Sequence, residues 1–424
     1  MGMSAAEKIL ARVSGERIVR AGDIVWPQPD FVMIHDGVIM AAKQELDALG
    51  IDRVFDPERV LMVTDHDVVY LNDRAVARGA FNRKAAGAWG ITQFYDAGRG
   101  GHGHIFPIES GIVLPGTFYF DNDRHCTNAG GIGAFSIRVG TDIAAVLATG
   151  TTWTLVPKTV QLRLKGRLQT GVYGRDLGYQ IGKRLAPGGA FGVDIDYRVL
   201  EFAGDLDALS LSERVALCST PTEMRAIGIF FPPSDAIVAS ARERARRPFE
   251  PVYPDADAVY DARIEMDVGA LEPQVALPGG PQRAVNLSEV DGTPVDHAFI
   301  GSCGSGMYDD LVVAAGILRG RRVAPGVRLL ITPGSEASTH RIRREGLLEV
   351  FQEAGAFVLP AGCGPCASGR MGLIHSGERS ISTATANAAG RFGAKDAELY
   401  LGSPATVAAS AVTGRITDPR GFLQ

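Results

Sequence analysis

Three of the five cysteines in this chain fall in its last third, in Gly301-Ser302-Cys303 and, about sixty residues on, in Gly362-Cys363-Gly364-Pro365-Cys366. Two thiolates at C-x-x-C spacing can reach two corners of one metal centre, because the chain between them turns tightly. Gly364 admits backbone angles closed to other residues, and Pro365 fixes one φ. Cys303, on a separate loop, makes a third thiolate. Three is an odd number for structural zinc, which closes with four ligands; it suits a cubane iron–sulfur cluster that keeps one iron open. Two other readings stand beside these. Cys-Gly-Pro-Cys is also a redox dithiol of thioredoxin-like proteins. There it opens a long helix, whereas here Ala367-Ser368-Gly369-Arg370-Met371-Gly372 is too rich in glycine for one. Inert buried cysteines are the plain alternative.

At 424 residues the chain has room for two or three domains and a large core. Continuous apolar runs such as Arg59 to Thr64 read as strands buried on both faces. They alternate with helical patterns, which is the signature of an α/β protein. The expected divisions are 1–158, 159–284 and 285–424, with Gly279-Gly280-Pro281 as a linker. A helix is expected from Ser4 to Arg20, and another from Ile342 to Ala354. A formal net charge of -5 with scattered basic residues gives no nucleic-acid surface. No stretch reaches the apolar length of a membrane span. Cysteines without disulfide-framework spacing point to a reducing compartment, so the cytoplasm is expected.

Four of the eight histidines, His66, His102, His104 and His125, lie within about sixty residues, at the expected C-terminal ends of strands. Each singly is more often structural than catalytic. Asp65-His66 and Asp123-Arg124-His125 bring their own carboxylates, however, and a carboxylate fixes the tautomer of a histidine that moves protons.

With these residues in view, the chain resembles the aconitase family. Ile300-Gly301-Ser302-Cys303 and Gly362-Cys363-Gly364-Pro365-Cys366 stand where that family places its three cluster cysteines. Gly402-Ser403-Pro404-Ala405-Thr406 and Ala411-Val412-Thr413-Gly414-Arg415-Ile416 resemble its C-terminal signature, and the likeness runs from Asp36 to Pro419. The resemblance implies a three-domain α/β/α core around a [4Fe–4S] cluster held by Cys303, Cys363 and Cys366, without the swivelling fourth domain of single-chain members. It implies catalytic pairs Asp65 with His66, His104 with Asp123, and His125 with Glu223. It implies a hydro-lyase that dehydrates or isomerises a 2-hydroxy acid of the malate-analogue type, and a small partner subunit carrying the swivelling domain. A non-catalytic relative that binds RNA or senses iron is the alternative.

The sequence also departs from the family pattern. Cys-Thr-Asn is Cys303-Gly304-Ser305 here, Asp-Ser-His is Asp123-Arg124-His125, and the Asn after the second-domain cysteine is Ser219. Asn-Arg-Asn-Phe-x-Gly-Arg is Thr385-Ala386-Asn387-Ala388-Ala389-Gly390-Arg391. One of two substrate-clamping arginines is thus replaced by Ala386, while Arg391 remains. The expected substrate-binding set is Arg391, Arg124 and Asn387, in a remodelled pocket.

Overall fold

The computed structural model describes residues 2–423. Contacts divide the chain into two compact units. The first comprises residues up to Arg163 together with Ile195–Ala203 and Arg225–Ile264; the second comprises Leu164–Asp194, Gly204–Met224 and everything from Glu265 on. The stretch 159–284 is therefore shared between the two.

The first unit is built on a five-stranded parallel sheet of β1 (Phe31–His35), β2 (Val60–Val63), β3 (Gln93–Tyr95), β4 (Phe118–Asp121) and β5 (Phe135–Arg138), in the order β3-β2-β1-β4-β5. β1 and β2 are buried along their whole length, as continuous apolar runs covered on both faces must be. Helices α1 (Ala5–Ser14), α2 (Ile39–Ala48) and α4 (Ile143–Thr149) share a core with one face of the sheet, through residues such as Val32, Ile34, Met62 and Phe120; α3 (Asp73–Trp89) adds Ala85, Ala86 and Trp89. Strand order reverses between β1 and β4. In open parallel sheets this reversal leaves a crevice at the carboxyl ends where functional loops gather. A second, four-stranded sheet includes Val199–Gly204 paired in parallel with Gly228–Phe230.

The second unit repeats the device. Its seven-stranded sheet contains β6 (Gln274–Ala276), β7 (Ala284–Asn286), β8 (His297–Ile300), β9 (Arg328–Ile331), β10 (Phe357–Val358), β11 (Arg379–Ser382) and β12 (Glu398–Leu401), in the order β7-β6-β12-β11-β8-β9-β10. The five strands from β12 to β10 are parallel, and strand order reverses between β8 and β11. Helices α5 (Gly174–Leu185) and α6 (Leu211–Glu223) pack on each other, and the long apolar α7 (Tyr308–Leu318) packs on α8 (Pro404–Thr413).

Three expectations need correction. The first helix stops at Ser14 because Gly15 turns left-handed at φ 70° and caps it. The helix expected from Ile342 is two, Glu336–Arg344 and Leu347–Ala354, broken at Gly346 with φ 73°. Gly279-Gly280-Pro281 is no linker: it lies in the turn joining β6 to β7, which pair antiparallel.

Candidate active site

The reversal point of the first sheet collects histidines and carboxylates from four segments. β1 ends in His35, with Asp36 next in sequence. Asp65 and His66 follow β2, β4 ends in Asp121, and the glycine loop supplies His102 and His104. His35 is wholly buried between two carboxylates. Its Nδ1 lies 3.0 Å from Asp65 Oδ1, and its Nε2 lies 3.4 Å from Asp121 Oδ1. Burial opposes protonation of His35, but Asp65 and Asp121 together outweigh it and hold the ring as an imidazolium. His66 Nδ1 lies 2.7 Å from Asp65 and 3.1 Å from Asp36. Burial likewise opposes its charge, yet the two carboxylates raise it to about 10. Burial alone would raise the Asp65 carboxyl; the flanking His35 and His66 hold it well below the ordinary range.

The glycine loop locks onto this pair, since the Gly103 N–H donates to Asp65 Oδ2 at 2.9 Å. His102 Nδ1 accepts from the His104 backbone N–H at 3.1 Å, which puts its own proton on Nε2. Burial keeps His102 neutral. His104 is closer to Asp121, at 3.3 Å, than to its expected partner Asp123, at 3.9 Å. Both contacts engage Nε2, and the buried Nδ1 of His104 has no hydrogen-bond partner among the described residues. Asp123 instead holds His125, through Nδ1 at 3.3 Å and the backbone N–H at 2.8 Å. His104 thus keeps Asp123 as its more distant carboxylate and gains Asp121 as a nearer one. His35, Asp36 and Asp121 were missed, because each reads as a residue at the end of a buried strand. Their alignment at one sheet edge was the available signal. Arg124 is exposed at the start of the 3-10 turn Arg124–Ile132.

In the second unit the three cysteines come from loops that follow the two strands flanking β9. Cys303 follows β8, and Cys363 and Cys366 follow β10; all three are buried free thiols. β9 lies between, and the residue after it, Thr332, touches both loops. A Cβ on Gly301 would lie 2.4 Å from the Thr332 carbonyl oxygen, and one on Gly364 would lie 2.5 Å from Thr332 Oγ1. Both glycines also have positive φ, 147° and 58°. Only glycine closes the two loops over one side chain in this way. Gly364–Cys366 forms a single 3-10 turn rather than the start of a long helix.

Arg391 donates from Nη2 to Cys366 Sγ at 3.7 Å, and its Nε is buried without a partner among the described residues. The sulfur of Cys366, ahead of Cys363 and Glu223, raises the Arg391 pKa and keeps it charged. Glu223 closes α6 in this unit, and its charge is felt at Arg391. Asn387 Nδ2 donates to the carbonyls of Leu277 and Leu399, both at 2.8 Å, so this amide braces the loop.

A profile of the aconitase family (aconitate hydratase) matches residues 7–293 and 288–414. The chain belongs to the aconitase family. Similar proteins include the 3-isopropylmalate dehydratase large subunit 1 of Methanopyrus kandleri, 41% identical over 100% of both chains. The large subunit 1 of Pyrococcus furiosus is 39% identical, again over 100% of both, and the large subunit of Halothermothrix orenii is 38% identical over 100% of both. This aconitase-family chain has a donor set that fits an iron–sulfur cluster. Three buried thiols sit on two loops closed over one residue, a charged arginine bonds one sulfur, and the buried Thr332 Oγ1 is left unpartnered among the described residues. No helix among the described residues is long and apolar enough to cross a membrane.

Proposed function

We propose that this chain is the large subunit of a hydro-lyase of the 3-isopropylmalate dehydratase type, acting on a 2-hydroxy acid together with a small partner subunit. The observation that carries this reading is the joint presence of a closed three-cysteine loop pair and a carboxylate–histidine network poised for proton transfer. The names of the full-length relatives support it. Cys303, Cys363 and Cys366 hold a [4Fe–4S] cluster, which supplies a Lewis-acidic iron for the substrate hydroxyl and an adjacent carboxylate. Arg391 grips a substrate carboxylate, its guanidinium kept charged beside the Cys366 sulfur. His104 moves the proton at Nδ1, since Nε2 faces Asp121 and Asp123 and Nδ1 alone is unengaged. Asp123 orients His125 for the same work, and Asp65 and His66 hold the network; in the second unit Glu223 adds its charge at Arg391.

Iron and sulfide analysis after anaerobic reconstitution tests the cluster. Cys303→Ala, Cys363→Ala and Cys366→Ala should each abolish it, whereas Cys126→Ala and Cys218→Ala should retain it. A requirement for Cys218, with Cys303 dispensable, would overturn the ligand assignment.

A further inference from the structure

Arg175 lies in the first turn of α5 and is 1% exposed, yet among the described residues no carboxylate is within ion-pairing distance of it. A guanidinium has five N–H donors, and here all five meet uncharged acceptors. Nε donates to the Tyr179 hydroxyl at 2.9 Å. Nη1 donates to the Ala216 carbonyl at 3.3 Å and to the Ser219 hydroxyl. Nη2 donates to the carbonyls of Thr383, at 3.3 Å, and Ala384. The two carboxyls that feel its charge are themselves pushed toward neutrality by burial, Asp176 to about 7 and Asp310 well upward. A buried cation without an ionised partner is strongly unfavourable. That leaves the guanidinium without a carboxylate ion pair among the described residues, and an anion bound beside it would be stabilised.

The three-cysteine site is beside it. A Cβ on Gly304, the residue after Cys303, would lie 3.1 Å from Arg175 Cζ and 2.5 Å from the Thr383 carbonyl oxygen. One residue past Ala384, Thr385 Oγ1 lies 3.8 Å from Cys366 Sγ. Arg175 therefore ties together the loop that carries Cys303 and the loop that touches Cys366. Several of the positions where the sequence departs from the family pattern lie around this one guanidinium: Ser219 accepts its hydrogen bond, Gly304 packs on it, and Thr385-Ala386 follow directly on its two carbonyl acceptors. With every donor engaged, Arg175 has none left for a substrate, unlike Arg391.

We propose that Arg175 is a positioning residue that supplies the counter-charge of the three-cysteine site, and that it thereby sets the reduction potential of the cluster held there. This rests on the cluster reading above. Wild type, Arg175→Lys, Arg175→Gln and Ser219→Asp are reconstituted anaerobically, then assayed for iron and sulfide and titrated for cluster potential by electron paramagnetic resonance. Arg175→Lys keeps the charge and should stay near wild type. Arg175→Gln should shift the reduction equilibrium at least tenfold against reduction, a fall of about 59 mV for one electron. Ser219→Asp keeps the guanidinium but neutralises it through Nη1, and should shift the same way, so it carries the test if Arg175→Gln does not fold. Loss of iron from Ser219→Asp, with Ser219→Asn retaining it, also supports the proposal. A folded, iron-loaded Arg175→Gln or Ser219→Asp with an unmoved potential overturns it. Wild type that takes up no iron refutes the cluster reading instead.

Discussion

His35 shows how one side chain governs a charge cluster. Asp65 and Asp121 are both fully buried, and the imidazolium between them offsets their charge. Removing one partner of a buried ion pair typically costs about 3–5 kcal/mol, because the remaining charge has no compensation. His35→Ala should therefore lower stability to urea at pH 7 by an amount of that order; an unchanged unfolding midpoint would count against the assignment. The network also predicts a pH dependence. His66 has its folded pKa raised to about 10 from an ordinary value near 6.5. Its stabilisation is fully present below about pH 6.5 and is lost as pH rises through about 10. Asp65 and Asp123 are depressed, so their share is present above the ordinary carboxylate range and lost as pH falls. Thermal melts of wild type between pH 7 and 11 should show an alkaline decline, shared by His35 and His66, that His66→Asn makes shallower. Identical alkaline limbs in the two proteins would sink that prediction.

At the scale of elements, the two sheets use the same solution: a parallel sheet whose strand order reverses, with the functional loops at the carboxyl edge beside the reversal. In the second sheet the closure of the two cysteine loops depends on glycine at positions 301 and 364. Gly364→Ala combines a left-handed backbone at φ 58° with a 2.5 Å approach to Thr332 Oγ1. It should lower the iron retained after desalting several-fold while leaving far-ultraviolet circular dichroism unchanged. Full iron retention would show that the closure is dispensable. Much of this architecture was legible in the chain. The strand Val60–Val63 announces itself as an apolar run, and the helix expected from Ile342 does end at Ala354. What escaped the sequence depends on non-local packing. Gly346 breaks a helix inside an otherwise continuous pattern, and Gly279-Gly280 turns a hairpin whose two strands have only three residues each. The same limit applies to the site. Asp65, His66 and the cysteines carry sequence signals. His35, Asp121 and Arg175 acquire meaning only when separate segments are brought to one edge.

For the molecule as a whole, the residues that would clamp a substrate carboxylate bear on specificity. The relatives quoted above are named for 3-isopropylmalate, yet here Ala386 stands where the family pattern has a clamping arginine. Leaving a buried carboxylate without its guanidinium partner typically costs about 2–5 kcal/mol, roughly 30-fold to several-thousand-fold in affinity. Arg175 cannot replace it, because its donors are all engaged within the protein. Arg124, exposed and next in sequence to Asp123 and His125, is the cation that the chain has in place of a serine. The expected substrate is accordingly a hydroxy acid other than 3-isopropylmalate. The chain should first be co-purified from its native host, where a small subunit should accompany it, and the assembled enzyme assayed on 3-isopropylmalate, citrate and smaller malate analogues. An acid other than 3-isopropylmalate should give the highest kcat/KM, and Arg124→Ser should lower that value at least 30-fold, mainly through KM. Efficient turnover of 3-isopropylmalate, unchanged by Arg124→Ser, would show that neither substitution altered specificity; full activity of the chain alone would remove the need for a partner.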